Sequence, residues 1–233
     1  MNTRIQLLCA WSGPVFLITY VLAFWQLAGY LPPHPPSMSA IDVAMFYSEH
    51  HNQIRAGQIL CLISSTLLFP WFAVISAQMA RAEGRFPVLA IMQFGGGVLL
   101  VVFFAICSML WIVATYRPDL DPNLIRLVHE AGWLIFVMVF PAYTLQLICI
   151  GLSGLIDQSE TPWLPRWASY LNFWVGVGGC GGGAAVFFKG GPFAWNGLIG
   201  FWLPVLLFAI WLSVMAPLLM KAIRRNALMD ARL

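Results

Sequence analysis

Six runs along the chain contain no Asp, Glu, Lys, Arg or His: residues 7–30, 56–80, 86–116, 131–156, 167–188 and 196–220. A helix rises 1.5 Å per residue, so about 20 apolar residues cross the ~30 Å hydrocarbon core of a bilayer, and every run is that long. A backbone in lipid has to satisfy its own polar groups, which selects helices for such runs. The pattern predicts an all-α, polytopic membrane helix bundle with six transmembrane helices, forming one domain over residues 1–233. Only Arg4 precedes the first run as a charge, and no small-residue cleavage site comes before the prolines, so this run reads as a retained helix.

The longest polar connection, residues 31–55, has two parts. Pro32, Pro33, Pro35 and Pro36 predict an extended, polyproline-like departure from the first helix. Ser39 followed three residues later by Asp42 then marks a helix start, Asp42 standing where a capping box has Glu or Gln. Ile41 and Met45, with Phe46 and Tyr47 on the adjoining face, predict a short amphipathic helix on the outer membrane surface.

Prolines divide the long runs into two kinds. Pro14, Pro87 and Pro165 fall near the starts of helices 1, 3 and 5, where a missing N–H costs least. Pro70, Pro141 and Pro204 fall inside helices 2, 4 and 6 and predict kinks that splay the bundle and leave a cavity. The same prolines also fit ordinary usage in membrane helices. Gly176–Ala185, in which Gly178 and Gly182, and Gly179 and Gly183, stand four apart, predicts a helix face bare enough for a second backbone to approach closely. Its neighbour would be a helix of the same chain, of another copy or of a partner membrane subunit.

Composition sharpens this picture. Charged residues make up 9% of the chain, far below the ~25% of soluble domains, which excludes an ordinary soluble globule. Threading six helices puts Arg4, Arg81, Arg85, Arg166, Lys221, Arg224, Arg225 and Arg232 on one side and Arg55, Arg117, Arg126 and Lys189 on the other. The positive-inside bias then places both termini in the cytoplasm. The basic residues follow topology and form no patch, so nucleic acid is not an expected partner. Cys9, Cys61, Cys107, Cys149 and Cys180 lie in apolar runs without a C-x-x-C spacing and read as small buried hydrophobes.

No charge stands at mid-span. That argues against a proton-driven transporter, a charged filter or a voltage sensor, and no mid-helix Lys or paired deep His supports retinal or haem. All four histidines, His34, His50, His51 and His129, map to the side opposite the termini, but no H-E-x-x-H or i, i+4 pair exists, so neither metal nor cofactor is assigned. The candidates for chemistry are Arg55, Arg126, His129 and Glu130, each within a few residues of a long run. Arg126 and Glu130 share a helix face and can pair; the plain alternative is that these charges mark where a helix leaves the membrane. Trp25, Trp163, Trp167 and Trp195 suit an interfacial belt, whereas Trp71, Trp111, Trp133, Trp174, Trp202 and Trp211 fall deeper.

Ile54-Arg55-Ala56-Gly57 at the start of helix 2 and Gly191-Pro192-Phe193-Ala194-Trp195-Asn196-Gly197 before helix 6 resemble motifs of a group of uncharacterised bacterial six-helix membrane proteins. The resemblance spans most of the chain. It implies the six-helix fold and a bacterial inner-membrane location, and no function.

Two readings follow. In the first, the protein binds a lipophilic molecule such as a quinone, sterol or terpenoid, or serves as an accessory subunit, with Arg126, Trp133, Tyr143, Trp195, Asn196 and Trp202 as ligand-facing residues. In the second, it is a membrane enzyme of isomerase, cyclase or hydratase type. There Glu130 and His129 transfer protons near the outer mouth and Arg55 orients them. A common cavity for Glu130 and Arg55 would favour the second. Aromatic residues also serve plain packing, so the rings by themselves do not decide.

Overall fold

The computed structural model describes residues 2–117 and 119–230, and among these every regular element is helical. Helix α1 (Thr3–Leu22) starts where the Asn2 side chain accepts the Arg4 N–H at 3.0 Å, and it runs on into a π-turn at Ala23–Leu27. It begins earlier than the uncharged run, so Pro14 lies well inside it and not at its start. The short α2 (Ala40–Glu49) is capped as its sequence predicts: Asp42 N–H donates to Ser39 Oγ at 3.1 Å. The Asp42 carboxylate takes the Ser39 hydroxyl proton at 2.6 Å, so the pairing closes side chain to side chain. The polyproline expectation holds only in part, because the chain turns at residues 35–38 with Met38 N–H donating to the Pro35 carbonyl.

The second uncharged run divides into α3 (His51–Ser65) and α4 (Leu68–Glu83), and the fourth into α6 (Pro122–Met138) and α7 (Phe140–Ile156). The breaks fall two to four residues before Pro70 and Pro141, the zone where a proline ring displaces the preceding turn. Pro204 opens α9 (Leu203–Asp230) directly after a π-turn at Leu198–Trp202. All three predicted kinks are therefore present. Between them α5 (Val88–Ala114) runs unbroken, its first turn capped by Glu83, whose carboxylate accepts the Leu89 and Ala90 N–H groups at 2.7 and 2.8 Å.

Five helical stretches are long and apolar enough to cross a membrane: Thr3–Leu27, His51–Glu83, Val88–Ala114, Pro122–Ile156 and Leu198–Asp230. The run at 167–188 differs from expectation. It is α-helical as α8 (Arg166–Gly179) and then tightens into a 3₁₀ helix at Cys180–Phe187. Glycine contributes no side chain to hold α geometry and costs ~1 kcal/mol per residue against Ala in a helix, so packing decides the local form here. The close approach itself is as predicted and is made within the chain. A methyl added at Gly182 would overlap the Val137 carbonyl, and one at Gly178 would overlap Leu207.

Contacts fix which ends lie together. Gln78 in α4 bonds Gln6 in α1 and Asn226 in α9, each at 2.8 Å; Arg81 pairs with Asp230; and Arg225 donates to the Pro162 carbonyl at 2.9 Å. The termini and the connections at 84–87 and 157–165 thus share one end. Arg232 lies outside the described residues. At the other end Trp195 Nε1 donates to the His34 carbonyl at 2.8 Å and Arg55 bonds Thr115, so the connections at 28–39, 115–121 and 188–197 gather there.

Candidate functional site

The end of the bundle opposite the termini is roofed by a buried hydrogen-bonded chain of rings. Tyr30, Tyr47, His129 and Trp133 come from four places: the connection after α1, α2, and successive turns of α6. Trp133 Nε1 donates to His129 Nε2 at 3.1 Å, and His129 Nδ1 meets Tyr47 Oη at 2.9 Å, which in turn lies 2.6 Å from Tyr30 Oη. An indole nitrogen is only a donor, so Nε2 of a neutral His129 is its acceptor and the ring proton sits on Nδ1. His129 therefore donates to Tyr47, and Tyr47 and Tyr30 are joined hydroxyl to hydroxyl, either of them able to donate. Both ring nitrogens are committed, and a second proton on His129 would face the indole N–H. Tyr47, outside the long helices, has its pKa raised by burial and therefore holds its proton. His34 stacks near this chain, its ring 5.6 Å from His129; burial, with His50 nearby, lowers its pKa to about 4.

Below the roof the rings continue as a column into the bundle. Phe24 packs on Trp111 and Trp133 and stacks with Phe136 at 5.6 Å, and Phe136 reaches Phe104 and Phe201. The column ends at an apolar, partly open cavity of about 140 Å³ between α1, α5, the α6–α7 kink and the start of α9. Val139, Phe140 and Pro204 line it, so the kinks make it. Tyr20 and Tyr143 line it too, and each has a buried hydroxyl without a well-formed hydrogen bond in the chain, that of Tyr20 lying beside Ser108. Leaving a buried hydroxyl unpaired costs ~1–3 kcal/mol.

Sequence reasoning placed some of these residues and not others. His129 and Trp133 meet in the roof and Tyr143 lines the cavity. Trp195 is buried and ties the 188–197 connection to His34, so it is no belt residue; Asn196 is half-buried beside it. Trp202 is 41% exposed, edge-on to Phe201, and is not among the residues that line the cavity, and Trp174 lies on the outer surface of the bundle. Glu130 and Arg126 pair with each other at 3.8 Å on a half-exposed face. Arg55 bonds Thr115, so Arg55 and Glu130 line no common cavity and the trio with His129 is not assembled. Among the described residues no three of His, Cys, Asp and Glu come together.

Tyr20, Tyr30 and Tyr47 were missed. The signal for Tyr20 was available, because Phe16, Tyr20 and Phe24 recur every four residues and form an aromatic stripe on α1. Tyr47 was read as part of a surface helix. In the fold Val43 and Tyr47 face inward and Ile41 and Met45 stay exposed. Compared with known proteins, the chain matches no family model, and it finds no significant match among curated proteins or among solved structures.

Proposed function

We propose that this chain crosses a cell membrane six times, with both termini in the cytoplasm, and holds the ring-sized, oxygen-bearing part of a lipophilic molecule in the cavity between α1, α5, α7 and α9. Residues 166–187 supply the sixth crossing: 22 helical residues without an internal charge link the two ends of the bundle. Seven described Lys and Arg residues at the terminal end against four at the other support the orientation.

One observation supports the ligand reading: the cavity is lined by aromatic and aliphatic residues, among them Tyr20 and Tyr143, whose buried hydroxyls have no well-formed hydrogen bond within the chain. A dry cavity of ~150 Å³ admits a benzene-sized group, so this one accommodates a six-membered ring. Two phenol O–H donors suit a ring carbonyl or alcohol, the chemistry of quinones and sterols, and the open side lets a hydrocarbon tail lie in the bilayer.

The test is mass spectrometry of lipophiles that co-purify with the intact chain in mild detergent. One recurrent ring-bearing molecule per chain is expected, absent from Ala209→Phe, which fills the cavity. Tyr20→Phe and Tyr143→Phe are each expected to weaken its retention by about five- to tenfold, the worth of one hydrogen bond of ~1–1.4 kcal/mol. An unchanged lipid profile in Ala209→Phe would overturn the reading.

A further inference from the structure

A second cavity, about 300 Å³, opens at the roofed end between α2, the first turns of α3, the end of α5 and the start of α6. Tyr47, Ser48, His51, Arg55, Thr115 and Arg117 supply its polar lining, and no carboxylate lines it. Arg55 is held in place by Thr115: Nε donates to the hydroxyl at 3.0 Å and one terminal nitrogen to the carbonyl at 2.5 Å. That engages two of five N–H donors. The Thr115 hydroxyl proton goes to the Ile112 carbonyl, and the Tyr47 hydroxyl is engaged by both His129 and Tyr30, so neither group is spare for the cavity. The donors left among the lining residues are the spare N–H groups of Arg55, the Arg117 guanidinium and the Ser48 hydroxyl; His51 also lines the cavity, its Nδ1–H spent on the Ser48 carbonyl at 2.8 Å. Among the described residues the ion pairs are Arg81–Asp230 and Arg126–Glu130, so neither Arg55 nor Arg117 has a counter-charge.

We propose that this cavity binds a phosphate oxyanion. Two guanidinium groups without carboxylates, one of them braced by its own backbone contacts, match a tetrahedral polyanion that accepts several charge-assisted hydrogen bonds at once. The volume holds several waters, enough for a phosphate with a short polar substituent. The elements that line the cavity also carry exposed apolar side chains, Ile41 and Met45 on α2, Tyr116 after α5, Leu124 and Leu127 on α6, which suits acyl chains attached to that phosphate. The phosphate comes either from an anionic phospholipid or from free solution. The proposal does not rest on the apolar cavity or its ligand.

The experiment uses the purified full-length chain in detergent. Retention of phosphatidylglycerol and of diacylglycerol, which lacks the phosphate, is measured by native mass spectrometry, and inorganic phosphate is titrated in as a competitor. Phosphatidylglycerol is expected to be retained over diacylglycerol, with about tenfold weaker retention in Arg117→Gln and in Arg55→Gln. Arg117 is exposed and braces nothing, so its variant carries the test even where Arg55→Gln fails to fold. Displacement by inorganic phosphate identifies a site open to the free anion, and resistance to it identifies a headgroup site. Equal binding of phosphatidylglycerol by the wild type and Arg117→Gln, together with no binding of inorganic phosphate, would overturn the proposal.

Discussion

Trp133 shows how one donor orders the hydrogen bonds of a histidine. Because its indole can only give a proton, it fixes the His129 tautomer and makes Tyr47 the acceptor of the His129 Nδ1–H. Trp133→Phe keeps most of the ring and strands His129 Nε2. A loss of about 1–2 kcal/mol is expected, read as a lower thermal midpoint in detergent, while Trp174→Phe at an exposed position leaves it unchanged. His129 was visible in the sequence as an unusual residue near a helix end. Its role was not, because Tyr47 lies 82 positions away and only tertiary packing joins them. Glu130 was equally visible, yet the helix turns it to the surface, where Arg126 is its sole ion-pair contact among the described residues.

Helices were legible where chemistry acts along the chain. A proline removes a hydrogen bond wherever it sits, so the kinks at Pro70, Pro141 and Pro204 followed from sequence alone. The 3₁₀ helix at Cys180–Phe187 did not, since glycines adopt what their neighbours leave room for, and those neighbours come from α6, α7 and α9. Gly182 presses on the Val137 backbone, which cannot swing aside as a side chain would. Gly182→Ala is expected to lower the thermal midpoint by several degrees or abolish folding, and Gly190→Ala, which meets nothing within 4 Å, to be neutral. A neutral Gly182→Ala would mean that the two segments are not packed this closely.

Across the whole molecule, apolar run length anticipated the all-helical bundle and five of its six long runs as membrane-length helices, and charge placement agrees with which connections share an end. The Gln6–Gln78–Asn226 contacts agree with that threading. The cavities were beyond the sequence because each draws on four or more elements. The orientation is tested by reporter fusions: insertions at Gly84 and at Asp119 are expected in opposite compartments, Gly84 on the side of the termini, and a shared compartment would refute six crossings.

The roof has a bearing on traffic. Tyr30, Tyr47, His34 and Trp195 are knotted together above the aromatic column, which shuts the route from the aqueous phase at that end. Any guest of the inner cavity therefore slips in sideways between helices. Its occupancy would track how strongly the compound partitions into the bilayer, and dissolved concentration would be a poor guide to dose.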